Sequence, residues 1–142
     1  MRLLAVLAAG AAALALAAPS LAERSPSVAA HTSAYGTILF DGRGFVLYVF
    51  TRDTRTHSAC AGACAKAWPP FLVRARPSAA KGAAAKLLGT IRRGDGKLQA
   101  TYAGRPLYYY VGDRLPGQIL CQDVVEYGGR WLVVRPSGKP VR

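Results

Sequence analysis

FDGRGFVLYVFTRD at residues 40–53 and YAGRPLYYYVGD at residues 102–113 are two copies of one pattern. Phe40 aligns with Tyr102, Gly42 with Gly104 and Arg43 with Arg105; after a two-residue gap, Leu47, Tyr48, Phe50 and Asp53 align with Leu107, Tyr108, Tyr110 and Asp113. In an extended strand residues i and i+2 share a face, so Tyr48 projects with Phe50, and Tyr108 with Tyr110. Each copy therefore reads as a β-hairpin that turns at Gly42 or Gly104 and returns through a strand carrying aromatic side chains. Asp53 and Asp113 fall just beyond the strand ends. There a carboxylate accepts turn amides or meets an arginine, Arg43 or Arg105 being the candidates, within or across the repeats.

Outward from these copies, short apolar runs alternate with Gly, Pro and Asp punctuation, the pattern of strands and turns. Strands are expected at 37–40, 45–50, 71–74, 90–92, 98–102, 107–111 and 131–134. Two short helices are expected, at 61–67 before Pro69-Pro70 and at 83–88 before Gly89. The fold class is mainly β: a small antiparallel β domain built from two hairpin repeats, about 37–53 and 98–113, with one or two short helices. Trp68 is expected to end the first helix and pack into the core.

The amino terminus is different in kind. Met1-Arg2 precedes an Ala/Leu run from Leu3 to Ala18, and Pro19-Ser20-Leu21-Ala22 places small residues before Glu23. Residues 1–22 read as a cleaved signal peptide, residues 23–34 as a flexible linker containing His31, and residues 35–142 as a single domain. The 51% hydrophobic content of the chain falls to an ordinary 46% beyond residue 22, because that segment holds 18 of the 73 hydrophobic residues. No cysteine lies at the cleavage site, so the expected location is secreted or periplasmic, without a lipid anchor and without a transmembrane segment after cleavage. The charge balance, 19 Lys+Arg against 7 Asp+Glu, must then be read outside the cytoplasm. It points to anionic envelope polymers, lipids or another envelope protein as partners, and away from nucleic acid.

Three cysteines follow the export signal: Cys60, Cys64 and Cys121. An oxidising compartment favours a disulfide, and an odd count leaves one thiol over. Cys60–Cys64 is feasible across one helical turn. A bridge from either to Cys121 would close a loop of about 60 residues and stabilise the fold by about 4 kcal/mol. His57 adds an imidazole to the cluster, so His57, Cys60, Cys64 and Cys121 are also the candidate ligands for copper or zinc, or the seat of thiol-redox chemistry, should the cluster stay reduced. No Gly-rich phosphate loop, His-Glu-x-x-His or Gly-x-Ser-x-Gly occurs. No catalytic residue is assigned and no cofactor is expected outside that cluster. Arg93-Gly94-Asp95 reads as turn chemistry, not as an adhesion tripeptide.

Taken together, these motifs resemble those of the bacterial secreted proteins and predicted lipoproteins defined by a repeated Tyr-x-(Phe/Trp/Tyr)-x-x-Asp motif. The matching residues are Tyr48, Phe50 and Asp53; Tyr108, Tyr110 and Asp113; Cys60-x-x-x-Cys64 leading into Trp68-Pro69-Pro70; Gly104-Arg105-Pro106-Leu107-Tyr108; and Gly128-Gly129-Arg130-Trp131. The resemblance spans about residues 35–138. Cys121 is an addition to the pattern, and the lipidation cysteine of lipoprotein members is missing. The resemblance implies an exported protein and carries no established activity. Two functions fit these residues: a non-catalytic envelope or extracellular binding or structural protein, or an extracytoplasmic metal or thiol-redox protein.

Overall fold

A computed structural model describes residues 26–142; the expected signal peptide, residues 1–22, and the first residues of the expected linker, 23–25, lie outside the described residues. Among the described residues, ten strands and one short α-helix follow in order. They are β1 (Ser27–Ser33), β2 (Gly36–Asp41), β3 (Tyr48–Phe50), α1 (Ala63–Ala67), β4 (Leu72–Val73), β5 (Ser78–Ala79), β6 (Leu88–Arg92), β7 (Leu98–Tyr102), β8 (Arg105–Pro106), β9 (Val124–Glu126) and β10 (Gly129–Val133). They make three small sheets, ordered β2-β1-β5, β3-β10-β9 and β4-β7-β6; β8 also pairs with β7, at Thr101 and Tyr102, where β4 pairs with Leu98 and Gln99. Every pairing is antiparallel except the two-residue pairing of β1 with β5. No helix among the described residues is long and apolar enough to cross a membrane.

The mainly β architecture with two repeats is as the sequence implies, and three local expectations are corrected. The linker reading fails over Ser27–Ser33, which form β1 and pair with β2 along its whole length, from Val28↔Asp41 to Ser33↔Gly36. Val28, Ala29 and Ala30 are buried, and the ring of His31 lies 5.5 Å from that of Phe40. Ser-, Ala- and Pro-rich composition hid this strand because small side chains suffice where a neighbouring backbone packs close. Residues 107–111 form no continuous ladder strand; only Tyr108 makes bridges, to Tyr48 and to Pro70. The second helix shrinks to a single 3-10 turn at Ala85–Leu87.

Strand β3 explains the unbroken apolar run before Asp53. Both of its faces are buried, as in strands that lie inside a protein. Leu47 and Val49 enter an aliphatic core with Leu39, Leu107, Leu132 and Val134. Tyr48 and Phe50 enter an aromatic core with Trp68, Tyr108, Trp131 and Val133. The two-residue period thus sorts one strand between two cores.

Candidate functional site

The Tyr-x-aromatic-x-x-Asp segments meet at the centre of the molecule. Tyr48 and Tyr108 exchange both backbone hydrogen bonds, N–H to carbonyl at 2.9 Å in each direction. Their side chains then cross between the repeats. The Tyr48 hydroxyl donates to Asp113 Oδ2 at 2.7 Å, and the Tyr108 hydroxyl donates to Asp53 Oδ2 at 2.6 Å. The second oxygen of each carboxylate fixes the loop that follows it: Asp53 Oδ1 accepts from Ala59 N at 2.7 Å and Asp113 Oδ1 from Leu120 N at 2.9 Å. Neither aspartate pairs with Arg43 or Arg105, so that expectation is corrected. Arg43 instead forms an ion pair with Asp41 at 2.9 Å.

The tryptophans follow the same exchange. Trp131 in β10 lies opposite Phe50, while the segment of Trp68 runs beside Tyr108–Val111 through Tyr109 N to Pro69 O and Val111 N to Ala67 O. Phe50 stacks on Trp131 at 4.2 Å and Trp131 on Trp68 at 4.0 Å, while Tyr110 lies tilted by 40° against Trp68 at 4.8 Å. Tyr48 meets Trp68 edge-on at 5.2 Å, and Tyr108 meets Trp131 edge-on at 5.1 Å. The column has an approximate two-fold relation between its halves. Each repeat donates its tryptophan segment to the motif strand of the other.

Burial governs the proton equilibria here. It pushes Tyr48 and Tyr108 well above the usual phenol value, and a carboxylate beside each hydroxyl adds to the effect. Both therefore remain donors at ordinary pH. Burial also raises Asp53 and Asp113, against the opposing hydrogen bonds from tyrosine hydroxyls and backbone N–H groups. The folded chain holds these two protons more tightly than the unfolded chain. Their contribution to stability is complete below the ordinary value of 3.8 and is lost as pH rises through the raised folded values. Urea midpoints measured in steps from about pH 3.5 to about pH 6 are therefore expected to carry a falling component, reduced in an Asp53→Asn, Asp113→Asn variant. An identical pH profile in that variant contradicts the assignment.

The cysteine cluster divides. Cys60 and Cys64 form a disulfide with Cα atoms 5.2 Å apart, worth about 2 kcal/mol for so short a loop. Cys121 is a free, half-buried thiol. It follows Leu120 as Cys60 follows Ala59, the two residues whose amides the motif aspartates hold. Cys121 is thus the second-repeat counterpart of Cys60, without a counterpart of Cys64, which accounts for the odd number. Burial pushes its thiol up. His57 is exposed. Among the described residues no group of three or more His, Cys, Asp or Glu is placed to hold a metal ion. Cys60 and Cys64 could ligate a metal only after reduction of their disulfide, since the thiolate is the ligand.

Sequence reasoning missed a polar network beneath the cysteine loop. Arg93 donates from Nη1 to Ser58 Oγ at 2.8 Å and to Gln99 Oε1 at 2.7 Å, and from Nη2 to the Cys60 carbonyl at 2.7 Å. Ser58 Oγ lies 2.6 Å from the Tyr108 hydroxyl. The arginine of the Arg-Gly-Asp tripeptide is thus turned inward, anchoring the disulfide loop. Its only sequence signal was an arginine at the edge of a turn.

A family model described as a secreted repeat of unknown function matches residues 29–71 and 89–135, well over half the chain. The chain belongs to this family. The matched segments are the two units that exchange tryptophans: the first ends just after Trp68, the second just after Trp131. The secreted-repeat unit is therefore a sequence unit whose three-dimensional half is completed by the other copy. No curated protein and no solved structure matches the chain.

Proposed function

We propose that this secreted-repeat protein is an exported, non-catalytic binding module whose basic surface engages anionic polymers of the cell envelope. One observation carries the reading: the fold spends its carboxylates internally. Residues 26–142 contain 17 Lys+Arg and 6 Asp+Glu. Asp41 holds Arg43, Asp53 and Asp113 hold tyrosines, Asp95 holds its own turn, Asp123 holds Arg130, and Glu126 holds Trp68. Only two of the 17 cations form ion pairs among the described residues. Of the other 15, Arg93 is turned inward, and the remaining 14 are exposed, where they attract polyanions at a range set by ionic strength.

The test is retention of the chain from residue 23 onward on washed envelope fractions across a salt series. Retention is expected at low salt, falling steeply as ionic strength approaches a few tenths molar. No retention at low salt would overturn the reading.

A further inference from the structure

Besides the unmatched disulfide, the two-fold relation between the repeats breaks down where the loop after each motif aspartate meets the turn of the other repeat. In the second repeat the residues after Asp113 close against the β2–β3 turn: Gly117 N donates to Gly44 O at 2.9 Å, and Pro116 packs against Gly44 so closely that a Cβ there would lie 3.1 Å from it. The arginine of that turn, Arg43, is neutralised by buried Asp41 and lies over the rings of Phe45 and Tyr109. At the corresponding place in the first repeat a cleft of about 220 Å3 remains, lined by Phe50, Asp53, Arg55, Gly104, Arg105 and Pro106 among others. Ala103 stands where the aligned repeat has Asp41, and Arg55 where it has Leu115. The carboxylate of Asp41 therefore has no counterpart at the cleft, and the arginine of the loop stands at Arg55 rather than at the place of Arg114, where the first repeat has Thr54.

The cleft is built from both repeats. Arg55 follows Asp53 in the first. Gly104 and Arg105 belong to the tight β7–β8 turn in the second, where Ala103 and Gly104 take φ values of 50° and 74°. The Arg55 side chain lies against Gly104, where an added Cβ would come within 2.7 Å of its Nη1. Glycine therefore serves both the turn and the close approach of the guanidinium. Arg55 and Arg105 are exposed, and neither forms an ion pair among the described residues. The one carboxylate in the wall, Asp53, has both oxygens engaged by Ala59 N and the Tyr108 hydroxyl.

We propose that this cleft is an oxyanion site, binding a phosphate or carboxylate carried on a sugar-sized group, with Arg55 and Arg105 as its ligands and Phe50 and Pro106 as an apolar wall. Two guanidinium groups suit the planar or tetrahedral oxygens of such groups. The volume is below that of an ordinary small-molecule pocket and suits one small residue of a polymer. The inference deepens the proposed envelope binding, on which its biological meaning rests; the site itself is testable without it.

The test is titration of the chain from residue 23 onward with glucose 6-phosphate, galacturonate and neutral glucose, followed by amide NMR shifts. Shifts centred on Arg55, Gly104 and Arg105 are expected with one or both anions and not with glucose; the two anions separate a phosphate from a carboxylate source. Arg55→Gln and Arg105→Gln are each expected to weaken binding about tenfold or more, while Arg74→Gln, at an exposed arginine outside the cleft, leaves it unchanged. Equal weakening by Arg74→Gln, shifts scattered over the basic surface, or no response to either anion at about 10 mM would overturn the site. Salt-sensitive retention on envelope fractions that survives the loss of both cleft arginines would overturn the cleft as the envelope-binding site and leave the wider reading standing.

Discussion

Replacing Trp131 with alanine is expected to destabilise the protein by about 3–5 kcal/mol, the cost of emptying a large buried aromatic site. Trp131 is fully buried and stacks on Phe50 on one face and Trp68 on the other, with Tyr108 at its edge. Its loss unseats rings from both repeats together, because the column is shared. Against a total stability of about 5–15 kcal/mol for a domain, such a loss lowers the melting temperature by on the order of 10–20 °C or prevents folding. Trp68→Ala is expected to behave alike, since Trp68 holds the equivalent place beside Tyr110. Tyr127→Ala is the control: that residue is 44% exposed, and its removal is expected to cost under about 1 kcal/mol. Thermal melts of the three variants check this. A Trp131→Ala protein that melts within a few degrees of the parent contradicts the shared column.

The second large effect concerns the chain itself. Cutting after Gly82, in an exposed stretch between the repeats, should leave two fragments that do not fold as monomers. Residues 26–82 keep Tyr48 and Phe50 but lose Asp113, the acceptor for Tyr48, and Trp131, the cover for Phe50. Residues 83–142 keep Tyr108 and Tyr110 but lose Asp53 and Trp68. Each fragment would expose an aromatic face to water and strand a buried hydroxyl, costs that a half-core of that size cannot meet. Mixing the fragments in equal amounts is expected to restore the near-ultraviolet circular dichroism of the intact protein. A fragment that is folded and monomeric alone contradicts the exchange.

The sequence made the repeat legible because its carriers are chemically distinctive: Tyr-x-Phe-x-x-Asp and Tyr-x-Tyr-x-x-Asp stand out against any background. It also made the hairpin turns legible, through Gly42-Arg43 and Gly104-Arg105. The destination of the aspartates was not legible. A carboxylate after a strand reads locally as a turn cap, and Oδ1 of each does serve that role. Nothing local says that Oδ2 reaches a tyrosine 55 or 65 residues away. The equivalence of Trp68 and Trp131 was masked by different neighbours, Pro69-Pro70 after one and Gly128-Gly129 before the other. Strand β1 was hidden by its composition. The cleft at Arg55 and Arg105 emerges only when the aligned repeats are compared in space, because its signal is a difference between copies.

The crossed pairing is the centre of the account, and a pair of double-mutant cycles on equilibrium unfolding tests it most directly. One cycle combines Tyr48→Phe with Asp113→Ala, the other Tyr48→Phe with Asp53→Ala. A coupling energy of about 1–3 kcal/mol is expected in the first, because either single change already breaks the buried hydrogen bond. Coupling near zero is expected in the second, although Tyr48 and Asp53 are the closer pair in sequence. The opposite result, strong coupling within the repeat and none across it, would contradict the exchange between repeats.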